Sequence, residues 1–193
     1  MLVGFVNRFL NFTGGLLKPS LKPTRRQLIF LAGGLILMGK KTYLSPHFTE
    51  EECQCKLTKS LPWDHGLEKD DFLKFLDLLE AIRTEWGNRA IWPSSIFRSS
   101  EHNQAISKTG KNGPHTGLLG GYACDIKVSG GRANDLIKVA LSVDLPGINP
   151  INGIGIKQNL GLPHKRRFIH IDNIPTGEIM GKIRRPAQWS YPA

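Results

Sequence analysis

The amino-acid sequence predicts an α+β fold for most of the chain. Two helical patterns are interspersed with several short strand patterns. These patterns do not follow the strand–helix–strand order of a doubly wound parallel sheet, so α+β is favoured over α/β. The 193 residues suffice for one domain with its own core plus an appendage. We therefore divide the chain into an N-terminal segment, residues 1–42, and a domain, residues 43–193.

The N-terminal segment is basic and apolar. Residues 1–49 contain seven lysines and arginines and no acidic residue, so the formal charge of +10 falls to +3 over the rest of the chain. Residues 27–39 form an apolar stretch between two basic pairs, about 20 Å long as a helix and shorter than a bilayer core of about 30 Å. It could be an export signal, a weakly hydrophobic anchor or a helix that docks on a partner protein. No interleaved aromatic and basic residues indicate nucleic acid, so we expect none as a partner.

The elements of the domain follow from local patterns. Thr49 is expected to cap a helix that begins with three glutamates, which suit the positive end of a helix. The clearest helix covers residues 69–87, where large apolar residues recur at three- and four-residue steps up to a glycine. A strand is expected at residues 90–99, where Pro93 favours an edge or a bulge. A shorter helix is expected at residues 132–143, and further strands at residues 123–128, 153–158 and 167–173.

The cysteines indicate neither a disulfide framework nor a zinc knuckle. Only three are present, Cys53, Cys55 and Cys124, and the first two are too close together for a knuckle. We expect free or buried thiols.

The last predicted strand places two titratable side chains on one face. Because alternate residues of a strand point the same way, His170 and Asp172 share a face with Phe168, while Ile169 and Ile171 face the core. On this stretch alone, the solvent-facing side of an edge strand is the alternative.

A second candidate group precedes it in the chain. His115 is followed by a glycine-rich loop, whose glycines permit tight turns, and then by Asp125 at a strand. Two imidazoles and one carboxylate, with the fourth position left to water, are the ligands of a catalytic zinc. His115, Asp125 and His170 could supply this set.

Five motifs, in order over residues 44–189, resemble those of a known peptidase family. They are LSPHFTEEEC, SSIFRSSEHNQAI, GYACDI, GIGI with RFIHIDN, and RRPAQW. The sequence is similar to the zinc D-Ala-D-Ala carboxypeptidases and L-alanyl-D-glutamate endopeptidases, which share a fold with the hedgehog signalling domain and include phage endolysins. The resemblance implies a mostly antiparallel sheet, Zn²⁺ held by His115, Asp125 and His170, and hydrolysis of peptidoglycan peptide stems. It also implies a place in the periplasm or cell envelope of a bacterial host, membrane-anchored or carried in a phage virion.

The chain departs from the family's spacing. Nine residues separate His115 from Asp125, three more than in the family's motif, and we interpret the extra residues as a longer loop. The carboxylate that some branches carry three residues before the last histidine is replaced by Arg167.

The resemblance also suggests catalytic residues. Arg98 corresponds to the family's substrate-contacting arginine and could stabilise an oxyanion, although a surface arginine is the alternative. Asp172 is the candidate general base, or else a partner that orients an imidazole. His102 is expected to cap a loop, and His47 and His164 to have local roles.

Two other functions stay open. The domain could retain zinc and bind cell wall or a partner without cutting it. Alternatively, the chain could be a virion or membrane structural component, with residues 1–42 contacting the membrane or another virion protein.

Overall fold

The computed structural model describes residues 41–179 and 183–192. The expectations for the apolar stretch at residues 27–39 lie outside the described residues. Within the part of the chain that the structure describes, no helix is both long and apolar enough to cross a membrane.

The described residues form a mixed α+β fold, which confirms the predicted class. The helices are α1 (Glu50–Cys53), α2 (Lys69–Glu85), α3 (Ser100–Ile106) and α4 (Gly131–Ser142). The strands are β1 (Pro93–Ser95), β2 (Ala123–Ile126), β3 (Gly153–Lys157), β4 (Phe168–Asp172), β5 (Gly177–Ile179), β6 (Ile183–Arg185) and β7 (Ala187–Ser190). Short 3-10 turns lie at Pro62–His65, Pro114–Thr116 and His164–Arg166.

Five strands form one mostly antiparallel sheet in the order β1-β2-β4-β3-β7. Only the β3–β7 pair in this sheet is parallel, and β5 with β6 forms a separate antiparallel hairpin. Strand β1 lies at the sheet edge, and its register with β2 shifts between Pro93 and Ser95. The expectation that Pro93 marks an edge or a bulge is therefore confirmed.

The helix boundaries follow from local chemistry. Thr49 caps α1 through a capping box: its hydroxyl accepts from the Glu52 backbone N–H at 3.3 Å, and its own N–H donates to the Glu52 carboxylate at 2.9 Å. Helix α2 buries six apolar side chains, and Gly87 follows its end with φ of +78°. Both features match the sequence expectations.

Helix α3 was not predicted as a helix, and the expectation that His102 caps a loop is wrong. His102 lies inside α3, where its backbone N–H donates to the Ser99 hydroxyl at 3.3 Å. The helix has seven residues, of which only Asn103 is buried. The sequence of α3 therefore has no repeating apolar pattern, and only Ser99, which caps the helix, indicates that a helix begins there.

The large sheet separates the core from a polar face. Ile126, Ile169 and Ile171 are wholly buried and belong to one apolar cluster with side chains of α2 and α4. Their neighbours in the strands, Asp125 and His170, point to the opposite face, as period-two alternation requires. All three cysteines are buried and free, as expected.

Candidate metal centre

Two adjacent strands and one turn bring the predicted ligands together. Asp125 on β2 lies directly opposite His170 on β4 in the antiparallel register. His115 enters from the 3-10 turn Pro114–Thr116. One ligand atom from each residue can be chosen so that all three lie within 4.8 Å of one another.

The two distances from the Asp125 ligand oxygen to the histidine nitrogens are close to those of a tetrahedral zinc site. Asp125 Oδ1 lies 3.2 Å from His115 Nε2 and 2.8 Å from His170 Nδ1. Ligand atoms at the usual zinc distances of about 2.0–2.1 Å are spaced by about 3.3 Å in a tetrahedron. All three side chains are buried, with at most 6% of the residue surface exposed. Two nitrogens and one oxygen are also the donor types that zinc prefers, so the residues present fit this metal.

The second nitrogen of each imidazole fixes its orientation. His115 Nδ1 lies 2.8 Å from the Ile96 carbonyl oxygen, which can only accept, so this nitrogen carries the proton and Nε2 has the free lone pair. Both nitrogens of His170 face carboxylate oxygens: Nε2 lies 3.2 Å from Asp172 Oδ2 and Nδ1 lies 2.8 Å from Asp125 Oδ1. A metal bound at Nδ1 would leave the ring proton on Nε2, where it is donated to Asp172. Such partners commonly orient metal-binding histidines.

Asp172 forms hydrogen bonds with an arginine that is not among the predicted site residues. Arg185, at the end of β6, donates through Nε to Asp172 Oδ1 at 2.8 Å and through Nη2 to Oδ2 at 2.5 Å. Asp172 is wholly buried, and Arg185 is 7% exposed. Burial alone raises the pKa of Asp172, but hydrogen bonds from His170 and Arg185 outweigh it and hold the pKa below its usual value. These contacts favour the orienting role for Asp172 over that of a general base.

One feature of the sequence could have indicated a role for Arg185. A buried carboxylate needs a cationic partner, because an unpaired charge in the interior is costly. The RRPAQW motif contains two arginines, Arg184 and Arg185, and the sequence does not tell which of them turns inward.

Arg98 contacts the other oxygen of the carboxylate ligand. Its Nη2 donates to Asp125 Oδ2 at 2.5 Å, and its Nε donates to the Ser95 hydroxyl at 2.8 Å. Asp125 Oδ1 therefore stays directed at the two histidines. Only 13% of the Arg98 side chain is exposed, which excludes the alternative of an ordinary surface arginine.

Burial and neighbouring charges shift the pKa values of the three ligand residues. Burial lowers the pKa of His115, which keeps a lone pair available for a metal. Burial also opposes ionisation of Asp125 and protonation of His170. Their mutual hydrogen bond and neighbouring charges outweigh it, so the pKa of Asp125 lies well below its usual value and that of His170 is raised.

The glycines of β3 make room for this centre. A Cβ atom at Gly153 would collide with the Asp172 carboxylate, and one at Gly155 would lie 2.8 Å from ring atoms of Trp189 and Tyr191. Gly153 pairs with Asp172, and Gly155 with His170, so both glycines lie directly beside site residues. The GIGI pattern therefore reflects close packing at the site.

The loop between His115 and Asp125 accommodates its extra length through glycines. Gly117 and Gly120 have φ of +76° and +74°, values that favour glycine. A Cβ at Gly121 would lie 2.7 Å from the Asn173 carbonyl oxygen, just past the end of β4. The loop thus turns back onto the strand, and His115 reaches the site despite the irregular spacing.

The other histidines lie outside the centre. His47 contacts Glu80 at 2.8 Å and His164 contacts the Ser129 hydroxyl at 2.8 Å, in agreement with the local roles expected for them. His102 contacts the Cys55 sulfur at 3.2 Å.

The centre opens into a cleft of about 700 Å³. His115, Asp125 and His170 line it, and Trp189 stands beside His170 with a distance of 5.2 Å between ring centroids. A substrate can therefore reach the three ligand residues from solvent.

Comparison with known proteins identifies the family of the chain. No curated protein and no solved structure matched the chain. The family described as Peptidase M15 matches residues 46–172, a range that includes His115, Asp125 and His170. This match covers more than half of the chain, and M15 enzymes are zinc-dependent metallopeptidases that act on peptidoglycan. The chain therefore belongs to the M15 peptidase family.

Proposed function

We propose that the protein hydrolyses the peptide stems of bacterial peptidoglycan, with zinc held by His115, Asp125 and His170. The observation that carries this proposal is the convergence of two oriented imidazoles and one carboxylate at the floor of an open cleft. Zinc bound there would supply Lewis acidity, which activates water and polarises a carbonyl group.

The residues around the ligands have separable roles in this proposal. Asp172 accepts a hydrogen bond from the Nε2–H group of His170, which keeps Nδ1 of His170 directed at the metal position. Arg185 keeps Asp172 ionised. Arg98 orients Asp125 and lines the cleft, where its remaining N–H groups can donate to a substrate oxygen as negative charge develops. We therefore assign Asp172 to positioning and Arg98 to catalysis.

A second candidate function is a zinc-containing module that binds cell wall without cutting it. One observation favours it: among the described residues that line the cleft, Asp125 is the only carboxylate, and it belongs to the ligand set. Asp172, the other carboxylate on this face, is occupied by Arg185. A general base would then have to come from another type of group.

Hydrolysis of purified murein separates the two functions. We expect the zinc-loaded protein to release peptide fragments detectable by mass spectrometry, and a chelator to abolish the release. His170→Ala should remove both zinc and activity, whereas His164→Ala, a change at an exposed histidine that does not line the cleft, should retain both. Murein binding without any cleavage by the zinc-loaded wild type would refute the hydrolase and support the module.

We further propose that residues 1–42 deliver the domain to the cell envelope of a bacterial host, by a membrane anchor or within a phage virion. The basic and apolar composition of this segment supports the proposal. Deleting residues 1–42 should leave a fragment that still cuts murein in solution but no longer associates with membranes. Loss of cleavage in a folded fragment would contradict a role limited to delivery.

A further inference from the structure

The polar face of the sheet extends beyond the ligand residues toward one end of β3 and β4. Lys157 on β3 lies opposite Phe168 on β4, two positions along from the pair formed by Gly155 and His170. At about 3.3–3.4 Å per residue, this places the Lys157 position about 7 Å from the His170 position along the strands. Both residues line the same cleft as the metal ligands.

Aromatic rings hold the Lys157 side chain within the cleft. Its ammonium nitrogen lies 5.6 Å from the centroid of the Phe168 ring, within the range of a cation–π contact. Phe168 in turn packs against Tyr191, with 5.1 Å between ring centroids. Lys157 is thus positioned by a strand and an aromatic pair.

The other cations of the cleft are mostly committed to partners. Arg98 pairs with Asp125, Arg184 with Glu178 and Arg185 with Asp172. Among residues 41–179 and 183–192, neither Lys108 nor Lys157 forms an ion pair, and Lys108 lies exposed in the turn after α3. Lys157 is therefore the one strand-held cation of the described cleft whose charge is not balanced by a carboxylate.

We propose that Lys157 is a specificity-determining residue that binds a free carboxylate of the substrate peptide, about two residues from the bond that is cut. An extended peptide rises about 3.3–3.6 Å per residue, so two residues span the offset between Lys157 and His170. The inference rests on the proposed function, because it takes the cut bond to lie at the metal ligands. Two carboxylates of a peptide stem meet this requirement, each for a different cut bond: the α-carboxylate of D-glutamate when the bond between the two D-alanines is cut, and the C-terminal carboxylate when the cut bond lies two residues before the C-terminus.

Matched peptides test the inference in the full-length, zinc-loaded protein. Three synthetic stem pentapeptides are compared: one with both carboxylates free, one with the D-glutamate carboxylate amidated, and one with the C-terminus amidated. We expect wild type to prefer the free form of one carboxylate by about tenfold in kcat/KM, mainly through KM. Lys157→Gln should abolish this preference by lowering kcat/KM for the peptides in which the bound carboxylate is free.

Two control variants sharpen the result. Lys157→Arg keeps the charge and should retain most of the preference. Lys138→Gln removes one exposed lysine from α4, which packs on the opposite side of the sheet, and should retain all of it. Amidation of the bound carboxylate should lower kcat/KM of wild type about as much as Lys157→Gln lowers it for the free peptide, and this match identifies which carboxylate is bound.

The outcomes distinguish this inference from the proposed function. If wild type cuts the peptides but Lys157→Gln changes all three equally or not at all, the inference is overturned and the hydrolase function remains. If wild type cuts none of them, the proposed function fails for these substrates. Calorimetric binding of the same peptides to wild type and Lys157→Gln then decides the carboxylate contact, because equal affinities would overturn it.

Discussion

The pair formed by Arg185 and Asp172 allows a quantitative test of how the metal centre is supported. Replacing Arg185 with Met keeps a long apolar side chain against Trp189, which the guanidinium carbon contacts at 5.0 Å from the ring centroid. The change leaves the Asp172 carboxylate buried without its cation. Breaking a buried ion pair from one side costs about 3–5 kcal/mol, so we expect the free energy of unfolding to fall by that amount.

The neighbouring arginine provides a matched control. Arg184 also pairs with a carboxylate, Glu178 at 3.1 Å, but 79% of its side chain is exposed, against 6% for Arg185. Water screens such a pair, so Arg184→Met should cost at most about 1 kcal/mol. The assay is urea denaturation of the metal-free proteins at pH 7, followed by zinc titration against a competing chelator.

Zinc affinity should distinguish the two variants as well. Asp172 orients the ligand His170, and Arg185 holds Asp172 in place. Loss of such orientation typically weakens metal binding by about 10–100-fold, which we expect for Arg185→Met but not for Arg184→Met. The double variant Asp172→Asn with Arg185→Met removes both charges and should be less destabilised than Arg185→Met alone. Equal stability of Arg185→Met and Arg184→Met would refute the supporting role of Arg185.

Three further predictions concern packing, capping and the metal. Gly155→Ala should destabilise by about 1–3 kcal/mol, because its Cβ meets the Trp189 and Tyr191 rings, whereas Gly161→Ala meets nothing within 4 Å and should stay within about 0.5 kcal/mol of wild type in thermal unfolding. Thr49→Ala removes the α1 cap and should cost about 1 kcal/mol in urea denaturation; no change would show that the capping box is not needed. Zinc at about 1,000 times its Kd should stabilise wild type by about 4 kcal/mol in calorimetry, and the same shift in His170→Ala would contradict the assigned ligand set.

The sequence was most informative where the chemistry is local. The period of α2, the N-cap at Thr49 and the alternation of Phe168 to Asp172 each concern residues within or next to one helix or strand, and the structure agrees with all three. Short polar elements were not foreseen: α3 buries one side chain, and β5 to β7 have three or four residues each, too few for a period to repeat. The class of the fold could therefore be predicted, but the complete strand order could not.

The sequence by itself determined the donor types of the centre and the face of β4 from which His170 projects. Only the tertiary structure decided that His115 reaches that face across an irregular loop, that Arg185 rather than Arg184 turns inward, and that Asp172 has both oxygens occupied. The physical reason is the range of the forces involved. Alternation and capping act between near neighbours in the chain, whereas the metal geometry and the pairing of a buried charge depend on contacts between distant segments, which exist only once the sheet has formed.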